Sequence, residues 1–208
     1  MARPFRAVPT WPGSTVAIVA GGPSLSFAQV RRIAKARLEG RCRVIAVNDA
    51  VFWCWWADWL HACDAKWWTW HIQSVQHFAG IRTTLSETVP DAWVDGWLKA
   101  TGDVGFDPDP GRIRHGSNSG YQALHLALET GASKIVLVGF DCMKGTGGQT
   151  HCHGGHDAYK PHVDYENTMG AKFPSLVPAI KARGVDVVNC SARTHLKCFR
   201  RASLEEVL

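Results

Sequence analysis

The chain has 208 residues, 46% hydrophobic and 20% charged, enough to bury the core of one α/β domain and short of two comfortable ones. Its composition excludes a disordered, collagen-like or coiled-coil chain, and its longest apolar runs fall far short of the roughly 20 residues that cross a bilayer. A net charge of +5 is compatible with phosphate-bearing ligands but lacks the patterned excess of a dedicated nucleic-acid binder.

Residues 15–20 form a short β-branched run that stops at Gly21-Gly22-Pro23-Ser24, and residues 25–38 then repeat with helical spacing, so strand, glycine turn and helix follow in order. A second buried strand is expected over 43–47, ending at Asn48-Asp49, and a third over 59–62, ending at Asp64. Residues 66–78 read as a helix, 80–85 as a strand and 89–110 as an irregular connection rich in Asp, Gly and Pro. Asn118-Ser119-Gly120 can cap a helix over 121–130, and 134–138 is the most apolar strand of the chain. A Gly- and His-rich lid is expected over about 142–164, a last helix over 165–183, a strand over 185–189 and a short tail over 191–208.

This alternation predicts a single Rossmann-like α/β domain over 1–208, with an open, mostly parallel sheet and helices on both faces. Such sheets bind ligands at the carboxyl ends of their strands. Ser24, Asn48, Asp64, Ser119, Asp141 and Asn189 all follow strands or open helices, so they are expected on one rim. The turn at Gly21, Gly22 and Ser24 and the helix start at Ser119 and Gly120 each fit two roles, a plain turn or cap, or a cradle of backbone N–H groups for a phosphate.

His151, Cys152, His153 and His156 supply zinc-type ligands, yet without the paired Cys spacing of structural zinc sites. The same segment reads equally as a lid carrying one functional His, or as a solvated loop. The ten Trp are too many to bury completely, and any exposed ring could stack on a sugar or base or support a homo-oligomer. The basic run at Arg31, Arg32, Lys35, Arg37, Arg41 and Arg43 reads as a solvated helix face. Seven scattered Cys predict reduced thiols. The first residues lack the apolar stretch of a secretory signal, so a cytoplasmic location without a membrane span is expected.

Taken in order, Gly21-Gly-Pro-Ser-Leu25, Ala46-Val-Asn-Asp49, Asn118-Ser-Gly-Tyr121 and Ile135-Val-Leu-Val-Gly-Phe-Asp141 make the chain resemble the bacterial lipo-oligosaccharide sialyltransferases. It is similar as well to the related 6-hydroxymethylpterin diphosphokinase-like proteins, which include flagellin-glycosylation factors. The resemblance implies donor-nucleotide contacts at Gly21, Gly22, Ser24, Asn48, Ser119 and Gly120, with the polar residue after the third strand at Cys63 or Asp64. Ala20 replaces the first glycine of the loop. It further implies a general base at His162, with His156 in reserve, and Tyr159 as the tyrosine available to assist the leaving group, since Met143 occupies another expected tyrosine position.

The function so implied is transfer of a sugar from a nucleotide to an acceptor hydroxyl without a required cofactor. The acceptor is a glycan, a protein or a modified nucleic acid. Two alternatives accompany it: an ATP-dependent diphosphokinase using Mg²⁺ held by Asp64 or Asp141, and a non-catalytic nucleotide-binding module.

Overall fold

The computed structural model describes residues 8–153 and 168–208. Ten strands run in chain order as β1 (Thr15–Val19), β2 (Arg43–Val47), β3 (Trp59–His61), β4 (Ile81–Thr84), β5 (Gly96–Trp97), β6 (Lys99–Ala100), β7 (Arg112–Ile113), β8 (Lys134–Val138), β9 (Asp186–Asn189) and β10 (Arg200–Arg201). The helices are α1 (Phe27–Leu38), α2 (Ala65–Val75), α3 (Ser119–Glu129), α4 (Val177–Ala182) and α5 (Leu204–Val207).

Eight strands make one open sheet in the order β10-β9-β8-β1-β2-β3-β4-β5, and every pairing in it is parallel. Parallel sheets are buried on both faces, and alternate residues of each central strand serve different cores. Ala17, Val19, Val44, Ala46 and Leu60 face α1 and α2, meeting Val30, Ile33, Trp67 and Trp68. Val16, Ile18, Ile45, Trp59 and Ile135 face the other side, meeting Leu124 and Leu128 of α3 and Ile180 of α4. The fold is therefore an α/β sheet of the Rossmann-like kind with helices on both faces.

From β1 the chain steps outward through β2, β3, β4 and β5, then returns through α3 to β8 on the opposite flank of β1. The strand order thus reverses between β1 and β8, which opens a crevice at their carboxyl ends.

Three parts of the chain differ from the sequence reading. The connection 89–110 contributes β5 to the main sheet, and β6 pairs with β7 in a small second sheet. This segment covers the outer face of α3, whose residues from Ser119 to Leu128 are all buried. The backbone N–H of Asp107 donates to His125 Nε2 at 2.9 Å, that of Gly111 donates to Glu129 at 3.1 Å, and Tyr121 donates its hydroxyl to the Gly105 carbonyl at 2.9 Å. Second, the helix expected over 165–183 is, within the described residues, a 3₁₀ turn (Phe173–Leu176) followed by the six-residue α4. Pro174 and Pro178 each remove a backbone donor, which confines them to the starts of these short pieces. Third, the segment after Ser191 is no loose tail, because β10 pairs with β9 and α5 packs Leu204 into the core. As expected, β2 ends at Asn48, where the chain enters a 3₁₀ turn (Asn48–Phe52).

The basic run on and after α1 is an ion-paired surface. Arg32 pairs with Glu205, Lys35 and Arg41 with Glu39, and Arg37 and Arg43 with Asp58. Trp59, Trp67, Trp68 and Trp97 are buried, whereas Trp55 is 73% and Trp70 41% exposed. No helix of the described residues is long and apolar enough to cross a membrane.

Candidate functional site

The crevice widens into a cleft of about 1170 Å³ along the carboxyl ends of five neighbouring strands, β8, β1, β2, β3 and β4. Strands in a sheet lie about 4.8 Å apart, so four spacings carry the cleft over about 19 Å. That volume exceeds what one drug-sized ligand fills. Among the described lining residues Lys66 is the sole Lys or Arg. An anion held here must rely on neutral donors and imidazoles for much of its recognition.

The floor is two loops fastened together. The N–H of Ala20 donates to the Val138 carbonyl and that of Gly22 to the Gly139 carbonyl, both at 2.9 Å. Ser24 donates its backbone N–H to Asp141 Oδ1 and its hydroxyl to Oδ2, each at 2.9 Å. Asp141 is buried, and burial raises its pKa against the lowering effect of the Ser24 bonds. A β-carbon on Gly22 would overlap the Asp141 carboxylate and the Gly139 carbonyl, and one on Gly139, whose φ is +73°, would overlap the Ala20 carbonyl. Glycine is needed at these two positions for the β1 and β8 exits to touch. Gly21 differs, since the nearest atom to a β-carbon there is His151 Cδ2 at 3.8 Å.

Asn48 lines the cleft in a left-handed conformation with φ of +50°, and its Oδ1 is buried without a hydrogen-bond partner among the described residues. Asp49, beside it, accepts from Trp67 Nε1 at 2.6 Å, lies 3.0 Å from His153 Nε2 and faces His71 Nε2 at 3.6 Å.

The start of α3 closes the opposite wall. Asn118 caps the helix by accepting from the N–H groups of Gly120 at 2.7 Å and Tyr121 at 3.2 Å, while its amide donates to the Met169 carbonyl. Ser119 donates its hydroxyl to Cys63 Sγ at 3.1 Å, and burial pushes that thiol up to about 12. A β-carbon on Gly120 would press on the Phe140 ring at 2.9 Å, so this glycine lets β8 pack against the helix.

Behind this wall runs a buried polar chain. His61 Nε2 meets Gln122 Oε1 at 2.8 Å, and because that oxygen only accepts, Nε2 carries the hydrogen. Nδ1 then accepts from the Thr83 hydroxyl at 3.0 Å, which itself accepts from Trp59 Nε1 at 2.8 Å. Gln122 completes the chain by donating to the His115 carbonyl at 2.7 Å. Burial lowers the His61 pKa to about 4, so the ring is neutral.

Gly21, Gly22, Asn48, Asp64, Ser119 and Gly120 therefore line one cleft, whereas Ser24 and Asp141 lie behind the β1 loop and bond to each other. Asn189 is turned away, fixing the chain after β9 through Ser191 and Thr194. Of the His- and Cys-bearing segment, His151 lines the cleft, with its ring stacked on His153 at 5.1 Å. Cys152 donates its N–H to the Gly21 carbonyl and packs its side chain on the core, and burial pushes its thiol up to about 11. Among the described residues no three His, Cys, Asp or Glu side chains converge as a metal site. His156, Tyr159 and His162 lie outside the described residues.

Sequence reasoning missed several polar cleft residues, among them Lys66, Ser86, His115 and Thr150. For His115 the nearby Gly116 marks a turn before the helix, but nothing in the sequence turns its ring to the cleft.

No family model and no curated protein matches the sequence. The fold superposes on a solved MAf glycosyltransferase from Magnetospirillum magneticum AMB-1 with a TM-score of 0.60 at 14% identity. The superposition covers all of this chain and 36% of that one, so the chain spans about a third of that protein's length. At this identity the likeness is one of fold.

Proposed function

We propose that the chain is a nucleotide-sugar-dependent glycosyltransferase of the sialyltransferase-like type. The observation that carries this reading is the long cleft at the strand-order reversal, lined by the glycine turn of Gly21 and Gly22, by Asn48 and by the helix start at Ser119 and Gly120. The fold likeness to a protein described as a glycosyltransferase agrees with it.

In the proposed reaction the donor's phosphate rests between the β1 loop and the start of α3. His162, or His156 in its place, takes the proton of an acceptor hydroxyl. The acceptor oxygen bonds to the sugar carbon, the bond from that carbon to phosphate oxygen breaks, and its electron pair leaves with the nucleotide. Tyr159, His156 and His162 are assigned by resemblance, and a cytoplasmic location is kept as the reading of the first residues. The acceptor is a glycan, a protein or a modified nucleic acid.

Asp141 commits both oxygens to Ser24 and Asp49 both of its own to Trp67 and His153, so a Mg²⁺ ion of the alternative diphosphokinase reading would rest on Asp64 and the nucleotide's own phosphates.

Turnover assays on sugar nucleotides decide between the readings. Transfer that survives EDTA and is lost in His162→Ala supports the glycosyltransferase. Strict Mg²⁺ dependence with AMP release supports the diphosphokinase, and tight nucleotide binding without turnover supports a binding module.

A further inference from the structure

The polar groups at the start of α3 are almost all spent inside the protein. Asn118 caps the helix and donates to Met169, Ser119 donates to Cys63, and Gln122 is fixed between His61 and the His115 carbonyl. The exception is the imidazole of His115, which lines the cleft with its side chain 41% exposed.

Its orientation and its hydrogens follow from its neighbours. The backbone N–H of Ser117 points at Nδ1 from 3.1 Å, and Asp103 Oδ1 lies 3.4 Å from the same nitrogen. Lys172 holds this corner by donating to Asp103 and to the Ser117 hydroxyl, both at 2.7 Å. The Ser117 N–H, within hydrogen-bond distance of Nδ1, places the neutral ring's hydrogen on Nε2, whereas the Asp103 carboxylate is matched by an Nδ1–H in the charged ring. The charged form carries one there as well. Nε2 therefore bears a hydrogen in either state and has no partner among the described residues. The ring's backbone is fixed too, through its N–H to the Gly102 carbonyl and its carbonyl to Asn118 and Gln122.

We propose that His115 is the phosphate-side donor of the cleft, its Nε2–H hydrogen-bonding the phosphate oxygen that receives the electron pair when the sugar carbon is attacked. The hydrogen stays on Nε2. The nucleotide leaves as an anion, and the acceptor's proton goes to the general base. The leaving-group role rests on the glycosyltransferase reading, whereas the phosphate contact requires only that a nucleotide bind in the cleft.

The test is calorimetric titration of the full chain with CMP, UDP, GDP and ADP, and with the four matching nucleosides. A lost hydrogen bond to a charged oxygen weakens binding by about 10- to 100-fold. His115→Ala should lose that much affinity for the bound nucleotide and change little for its nucleoside. His115→Gln, whose amide nitrogen reaches the place of Nε2, should recover most of the loss. His115→Asn, which reaches only the place of Nδ1, should not.

Equal losses for nucleotide and nucleoside, or rescue by Asn rather than Gln, would make His115 a support for the Ser117 turn and overturn the proposal alone. Wild-type protein that binds none of the nucleotides would overturn the proposal together with the glycosyltransferase reading.

Discussion

Acidification should loosen the polar chain that backs the cleft, and His61 sets the range. Its pKa is about 4 in the fold against an ordinary 6.5, because burial disfavours the charged ring. The unfolded chain therefore takes up this proton first. Stability contributed by the neutral ring is fully present above about pH 6.5, falls as the pH drops, and is lost once it passes about 4. Each pH unit of difference is worth about 1.4 kcal/mol, so the loss is on the order of 3 kcal/mol. Against the roughly 5–15 kcal/mol that holds most domains together, that is a large share. Urea unfolding followed by Trp fluorescence, from about pH 7.5 down to about pH 4.5, measures it. His61→Gln should begin less stable and lose less on acidification, since it removes the titrating ring. Parallel pH profiles for wild type and variant would refute the reasoning, as would a wild type that gains stability in this range.

The two glycines of the β1 loop should respond oppositely to alanine. Gly22→Ala drives a β-carbon into Asp141 and Gly139 and should cost about 3 kcal/mol or more in denaturant melts, whereas Gly21→Ala, whose β-carbon meets only His151 Cδ2 at an ordinary contact distance of 3.8 Å, should stay within about 1 kcal/mol. Asp141→Ala removes both acceptors of Ser24 and should destabilise by about 2–4 kcal/mol in the same melts, with Asp141→Asn recovering much of that loss. Asn48→Gly relieves the left-handed backbone and removes a side chain that lines the cleft, so the unliganded protein should keep its stability while nucleotide affinity by calorimetry falls about tenfold.

The central strands and α1, α2 and α3 were legible because each carries an unbroken apolar pattern of its own. β5, β6, β7 and β10 were not, since two residues have no periodicity to read and pair only because the rest of the chain brings them alongside. The rim was legible as a place, through the strand order that the βα alternation implies. Individual roles were less so. Ser24 and Ser119 look in sequence like ligand-facing hydroxyls, yet each finds an acceptor inside the fold, in Asp141 and Cys63 respectively. Those partners lie 117 and 56 residues away along the chain, beyond any local motif. His115 shows the converse, for its interest lies in a hydrogen position set by Ser117 and in the commitment of its neighbours elsewhere.

The measurement that bears most directly on the proposed function is a thermal-stability screen against CMP, UDP, GDP, ADP and ATP and their sugar conjugates, each with and without Mg²⁺. A ligand that binds only the native state raises the melting temperature. The account predicts an upward shift with one sugar nucleotide that is unchanged by removing Mg²⁺. A shift confined to ATP with Mg²⁺, or no shift with any nucleotide, would contradict it.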